Sequence, residues 1–198
     1  MRIIRDNEQK RMPWKNGGGE TIEISIAPDN STLETFDWRI SRARIDRSGP
    51  FSPFPGIDRT IVAIDGEGIL LRFDNAEPVV LAPSDSPLFF PGEMHIESEI
   101  IKGVVTDLNV MTRRNRFRHR LTVLANNRPI EVVARCGEIV AIFAAGRAVV
   151  RILAGEIQLS DNDAILLSVA DGTANVAPEP GSRLFLIGIE PSTDAIVA

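Results

Sequence analysis

Ile69-Leu70-Leu71-Arg72-Phe73 is a short apolar run with one charge on it, and it returns as Ala148-Val149-Val150-Arg151-Ile152. Each copy leads through a brief hairpin to a second apolar stretch, Leu81-Ala82-Pro83-Ser84-Asp85-Ser86-Pro87-Leu88 in the first and Leu159-Ser160-Asp161-Asn162-Asp163-Ala164-Ile165 in the second. An aspartate stands just before the third apolar segment in both. Self-similarity at this spacing predicts a duplicated β-module. The seam falls near Arg114 to Arg120, giving a first module over 1–115 and a second over 116–198. Short apolar runs separated by turn residues continue from Thr60 onward, at Ile61 to Ile64, Val79 to Leu81, Leu88 to Phe90 and Val104-Val105. That texture predicts antiparallel sandwiches or barrels, with almost no helix.

The first half carries the unusual chemistry. Pro13-Trp14-Lys15-Asn16-Gly17-Gly18-Gly19-Glu20-Thr21 places an indole, an ammonium, an amide and a hydroxyl around three glycines, whose missing Cβ atoms leave backbone N–H groups open to a small anion. A strand follows, since Ile22, Ile24 and Ile26 alternate with Glu23 and Ser25. That exit excludes a dinucleotide fingerprint, which needs a helix, and no Lys-Ser/Thr pair makes a phosphate loop. Phe36 to Ile45 alternates again, with an apolar phase that switches between Ile40 and Ala43, which predicts a bulge or twist. Gly49-Pro50-Phe51-Ser52-Pro53-Phe54-Pro55-Gly56-Ile57-Asp58-Arg59 is too rich in proline and glycine for a helix or central strand and reads as an ordered loop. On Asp107-Leu108-Asn109-Val110-Met111, the first, third and fifth residues share a face, so Asp107 and Asn109 point inward if Leu108 and Val110 point out.

Composition narrows the rest. With 198 residues, 43% hydrophobic and 25% charged, the chain can bury one or two cores. Its net charge of −5 gives no overall attraction to nucleic acid or anionic lipid. The run Arg113-Arg114-Asn115-Arg116-Phe117-Arg118-His119-Arg120 is a local basic patch, read first as a set of ion-pair partners for the excess carboxylates. A single Cys136, an N-terminus without an apolar core and no apolar run long enough to span a bilayer lead to the expectation of a cytoplasmic protein. Two histidines, His95 and His119, are too few for a His-rich metal site, so neither metal nor cofactor is expected. No Gly-x-Ser-x-Gly elbow or Cys/His neighbourhood supports a nucleophile.

Four motifs in order, Pro13 to Gly19, Phe36-Asp37-Trp38-Arg39, Gly49 to Arg59 and Asp107 to Arg114, closely resemble the HutD/Ves family. The resemblance covers residues 13 to 114 and implies an all-β bicupin, two double-stranded β-helix barrels. Typical cupins hold a metal with a His-x-His pair and a later histidine. Here the loop through Phe54 and Arg59 stands in the first place, and only Pro91-Gly92-Glu93-Met94-His95 is similar to the second. HutD members are linked to histidine utilisation, where they look like binders that limit pathway induction, and Ves members to stress or cold response. The expected function is therefore binding of a small carboxylate such as urocanate or formylglutamate. Arg59 would pair with the carboxylate, since a buried anion needs a charged, hydrogen-bonding partner. Lys15 would add charge, Asn16, Thr21 and Asn109 would orient the polar end, and Trp14 and Phe54 would give apolar contact. Gly17, Asp58 and His95 complete the expected site. The alternatives are an enzyme on a similar metabolite, with Asp58 or His95 transferring protons, and a Ves-like protein without catalysis. Expected partners are the metabolite and, at most, a second copy of the chain, with neither nucleic acid nor membrane.

Overall fold

The computed structural model describes residues 1–74, 76–124 and 128–192. Its regular structure is strand, apart from two 3-10 turns at Asp6–Glu8 and Val169–Asp171. In chain order the strands are β1 (Arg2–Ile4), β2 (Lys10–Pro13), β3 (Gly19–Ala27), β4 (Trp38–Ile45), β5 (Gly49–Pro50), β6 (Ile57–Asp65), β7 (Ile69–Phe73), β8 (Val79–Leu81), β9 (Leu88–Pro91), β10 (Ile96–Ile100) and β11 (Val105–Arg113). They continue as β12 (Phe117–Leu124), β13 (Ile130–Val133), β14 (Ile139–Ala145), β15 (Ala148–Ile152), β16 (Gly155–Leu159), β17 (Ala164–Leu167), β18 (Thr173–Pro178) and β19 (Arg183–Pro191). No helix among the described residues is long and apolar enough to cross a membrane.

The first barrel, Lys10–Arg116, faces a six-stranded sheet ordered β2-β3-β4-β11-β6-β9 against a four-stranded sheet ordered β5-β10-β7-β8. Its core is Ile45, Ile61, Ala63, Ile69, Leu71, Leu81, Phe90, Ile96 and Val105, all nearly solvent-free. Phe73 meets Phe90 edge to face at 6.2 Å between centroids. The second barrel repeats the order strand for strand. Its sheets run β17-β14-β19-β12 and β13-β18-β15-β16, where the first has β9-β6-β11-β4 and β5-β10-β7-β8. This is the double-stranded β-helix of cupin type, built twice. The paired sequence runs around Ile69 and Ala148 are β7 and β15, which hold the same place in their sheets.

The division differs from the expected one at the N-terminus. Met1–Gln9 belongs to the second barrel, together with Phe117 onward. Strand β1 pairs with β17 through Arg2↔Leu166, Ile3↔Ile165 and Ile4↔Ala164. Asp163 then anchors the turn that follows, accepting from Arg5 Nη1 at 2.7 Å and from the Asp6 N–H at 3.0 Å. Ile3-Ile4 is the apolar content of that segment, and covering the open edge of β17 buries Ile4 to 4% exposure. A three-residue strand says nothing locally about a partner some 160 positions away.

The phase switch in β4 also has a cause other than the one expected. The register break lies on β3 between Glu23 and Ser25, opposite Ser41 and Ile40, while β4 pairs with β11 without interruption. Both faces of β4 are covered over Trp38 to Arg42. Arg39, Ser41 and Ala43 look into the barrel and Ile40 away from it, so the polar residues on the inner face are what disrupt the apolar alternation.

Candidate functional site

The first barrel encloses a cavity of about 650 Å³, within the range of small-molecule sites. Strand alternation builds its wall. From β11 come Asp107, Asn109 and Met111, while Leu108 and Val110 are buried on the opposite face. From β4 come Arg39, Ser41 and Ala43, and from β6 comes Arg59. The Pro/Gly-rich loop adds Phe51, Ser52 and Phe54, and the glycine motif adds Trp14, Lys15, Asn16 and Thr21.

Arg59 dominates the interior. It is 5% exposed, and its guanidinium sits among three rings, 5.1 Å from the Phe90 centroid and 5.4 Å from those of Phe51 and Phe54. Nη1 donates to the Ser52 carbonyl at 3.3 Å, and the buried Nε has no hydrogen-bond partner among the described residues. Burial lowers its pKa to about 10, against the raising influence of Asp107, with Arg39 lowering it further. It therefore stays charged at neutral pH. Asp107 is pushed up to about 6 by burial, held back by Arg59 and by the Ala43 N–H, which donates to Oδ1 at 3.2 Å. A second cavity arginine is matched from within, since Arg39 Nε donates to Glu23 Oε2 at 2.7 Å. Asn109 Oδ1 is buried and, like Arg59 Nε, lacks a partner.

Of the ten residues expected from sequence, Trp14, Lys15, Asn16, Thr21, Phe54, Arg59 and Asn109 line this cavity, and Gly17, Asp58 and His95 do not. Asp58 is adjacent to Arg59 on a strand and so faces the opposite way. There it accepts from Arg114 Nε at 2.6 Å, and the same guanidinium grips both oxygens of Glu93 at 2.9 Å. His95 lies exposed in the turn before β10, its Nδ1 2.9 Å from Asp74 Oδ1, and the carboxylates of Asp74 and Glu97 raise its pKa. Neither proton-transfer candidate reaches the cavity. Among the described residues no group of three or more His, Cys, Asp or Glu side chains is placed to hold a metal.

The glycine motif shapes the wall rather than cradling an anion. Gly17 N–H donates to the Trp14 carbonyl at 3.0 Å, Gly18 N–H to Asn16 Oδ1 at 3.0 Å, and Trp14 N–H to the Gly19 carbonyl at 2.9 Å, so these donors are taken up inside the loop. Thr21 Oγ1 accepts from Trp14 Nε1 at 2.8 Å and fixes the indole. Asn16 and Thr21 thus hold the loop's shape through their acceptor oxygens while lining the cavity. A Cβ at Gly19 would run into the Arg44 carbonyl oxygen, which is why the chain is glycine there. Among the lining residues missed from sequence are Arg39 and Ser41, whose polar character on an inner strand face was the available signal.

The arginine-rich run is engaged within the chain. Arg113 donates to the Phe36 and Glu34 carbonyls, Arg114 to Asp58 and Glu93, Arg116 to Asp37, Arg118 to Glu190 and Arg120 to Glu138.

The second barrel supplies an internal comparison. In the first, Ile61 on β6 is paired with Asn109, which is paired with Ser41. In the second, Val140 on β14 is paired with Gly188, which is paired with Arg120. Counting two residues back from Ile61 and from Val140 sets Glu138 where the first barrel has Arg59. Glu138 is buried, and its partner is already present, because Arg120 donates to Oε1 while the Arg135 N–H donates to Oε2 at 2.9 Å. A side chain at Gly188 would collide with that pair. In one barrel the buried carboxylate is hydrogen-bonded to a guanidinium of the same chain; in the other, Arg59 feels the charge of Asp107 while its Nε has no hydrogen-bond partner among the described residues.

A duplicated double-stranded β-helix defines a bicupin. The HutD family profile matches residues 6–185, and the chain belongs to the HutD family. It is 33% identical over 173 residues to an uncharacterised 21.2 kDa protein of the hutC 3′ region in Pseudomonas putida, covering 84% of this chain and 90% of that one. It is 33% identical over 159 residues to protein Ves of Cronobacter sakazakii, 77% of each chain. The solved structure of HutD from Pseudomonas fluorescens SBW25 superposes with a TM-score of 0.80 at 30% identity, over 96% of this chain and 98% of that one. A cupin 2 conserved barrel domain protein from Leptotrichia buccalis, 8% identical with a TM-score of 0.57 over 96% of both chains, shares the fold alone.

Proposed function

We propose that the chain is a non-catalytic binding protein whose first barrel takes up a small carboxylate. One observation carries this: a buried, charged guanidinium, ringed by Phe51, Phe54 and Phe90, faces a cavity with its Nε unpartnered. A carboxylate meets that donor with a charge-assisted hydrogen bond and offsets the desolvation of both ions. The second barrel supports the reading, since the corresponding buried charge there, Glu138, is matched by a guanidinium of the same chain. Lys15 at the exposed rim adds to the attraction for an anion.

Family membership and the hutC-region relative direct the choice of metabolite toward histidine degradation, with urocanate and formylglutamate as the ligands and modulation of histidine utilisation as the role. Titration calorimetry of the purified protein with each acid tests this. Arg59→Ala should weaken binding about a hundredfold, the usual scale for losing a buried charged hydrogen bond. Undiminished binding by that variant overturns the assignment.

A further inference from the structure

The cavity contains a second buried orphan of opposite character. Asn109 Oδ1 is solvent-free and accepts no hydrogen bond from any described residue. Asn109 lies opposite Ile61 while Arg59 lies opposite Met111, so the two are diagonal neighbours on adjoining strands, with Cα atoms roughly 7–8 Å apart. Both side chains line the same space. One orphan is a donor on a cation and the other a neutral acceptor.

We propose that the ligand is a small carboxylate that also carries an N–H or O–H donor, the carboxylate meeting Arg59 and the donor meeting Asn109 Oδ1. This rests on the carboxylate reading of Arg59 and adds to it a requirement at the ligand's other end. An acid of the same shape without the donor would enter the cavity and leave the Asn109 oxygen as it already is, buried and without a partner among the described residues. A site that is built to receive a hydrogen bond discriminates against the analogue lacking it, because the protein's own polar group is then left buried and unpaired. The position is specific to the first barrel: the matching residue in the second is Gly188, which offers no side-chain acceptor.

N-acetylglycine and acetoxyacetate test this, because they differ only in an amide N–H replaced by an ester oxygen. In calorimetry, or in thermal shift at about 10 mM ligand, the wild-type protein should favour N-acetylglycine by about tenfold to a hundredfold. Asn109→Leu should bring the two together, chiefly by weakening the amide, and Arg59→Ala should lose both. Equal affinity of the wild type for the two acids overturns the donor requirement and leaves the carboxylate reading standing. Binding of neither acid overturns both. The wild-type comparison is decisive without any variant, so a misfolded Asn109→Leu protein does not obstruct it.

Discussion

Asp107 and Arg59 line one cavity, and burial drives each toward its neutral form while the charge of each opposes that drift in the other. The balance is uneven. Arg59 remains a cation with a pKa of about 10, whereas the Asp107 carboxyl, at about 6, titrates just below neutrality.

A pH dependence of binding follows. An anion placed against Arg59 disfavours a second negative charge at Asp107, so binding is accompanied by proton uptake there. Affinity for N-acetylglycine should therefore rise as pH falls from about 7.5 toward 5.5, and Asp107→Asn should flatten the slope. Calorimetry in two buffers of different ionisation enthalpy measures the proton uptake directly; none at pH 6.5 would contradict the linkage.

Stability carries the same signature with a definite sign. The folded-state pKa of Asp107 lies above its ordinary value of 3.8, so the folded state binds the extra proton between about 4 and 6. The contribution is complete below about 4 and is lost as pH rises through 6. Asp107→Asn should raise stability at pH 7 by about 1–3 kcal/mol and change it little at pH 4, as read from urea melts at the two pH values.

Gly19→Ala should destabilise the first barrel by about 2–4 kcal/mol, because the added methyl meets the backbone oxygen of Arg44 rather than a movable side chain. Gly17→Ala, whose Cβ meets nothing within 4 Å but whose φ is +66°, should cost only about 1 kcal/mol. Equal melting temperatures for the two variants would show that close approach is not what glycine provides at position 19.

Asp58→Asn and His95→Ala should each leave ligand affinity within about twofold of wild type, since Asp58 is bound to Arg114 and His95 lies exposed beside Asp74. A loss of tenfold or more in either would place a cavity function on residues that face away from it.

Much of the first barrel's chemistry was legible in the sequence because strand alternation is a local rule. Asp107, Asn109 and Met111 share a face by spacing alone, and Arg59 follows a loop too rich in proline to be a helix or central strand. Asp58 was misplaced beside Arg59 although the same alternation separates them. The roles of Asn16 and Thr21 were hidden for another reason. Whether an amide or hydroxyl serves the ligand or its own loop depends on hydrogen bonds to Gly18 and Trp14 that spacing does not specify. Arg39 and Ser41 went unread because a polar pair on an inner face looks, in sequence, like a fault in a strand.

Removing Arg120 should leave Glu138 buried with only a backbone donor, costing about 1–3 kcal/mol because the guanidinium is itself half exposed. Affinity for N-acetylglycine should not change, since the pair lies in the other barrel. The twin barrels thereby give the chain a built-in reference: one half records what the scaffold does when its buried charge is answered at birth, and any ligand effect shared equally by both halves is a property of the scaffold rather than of recognition.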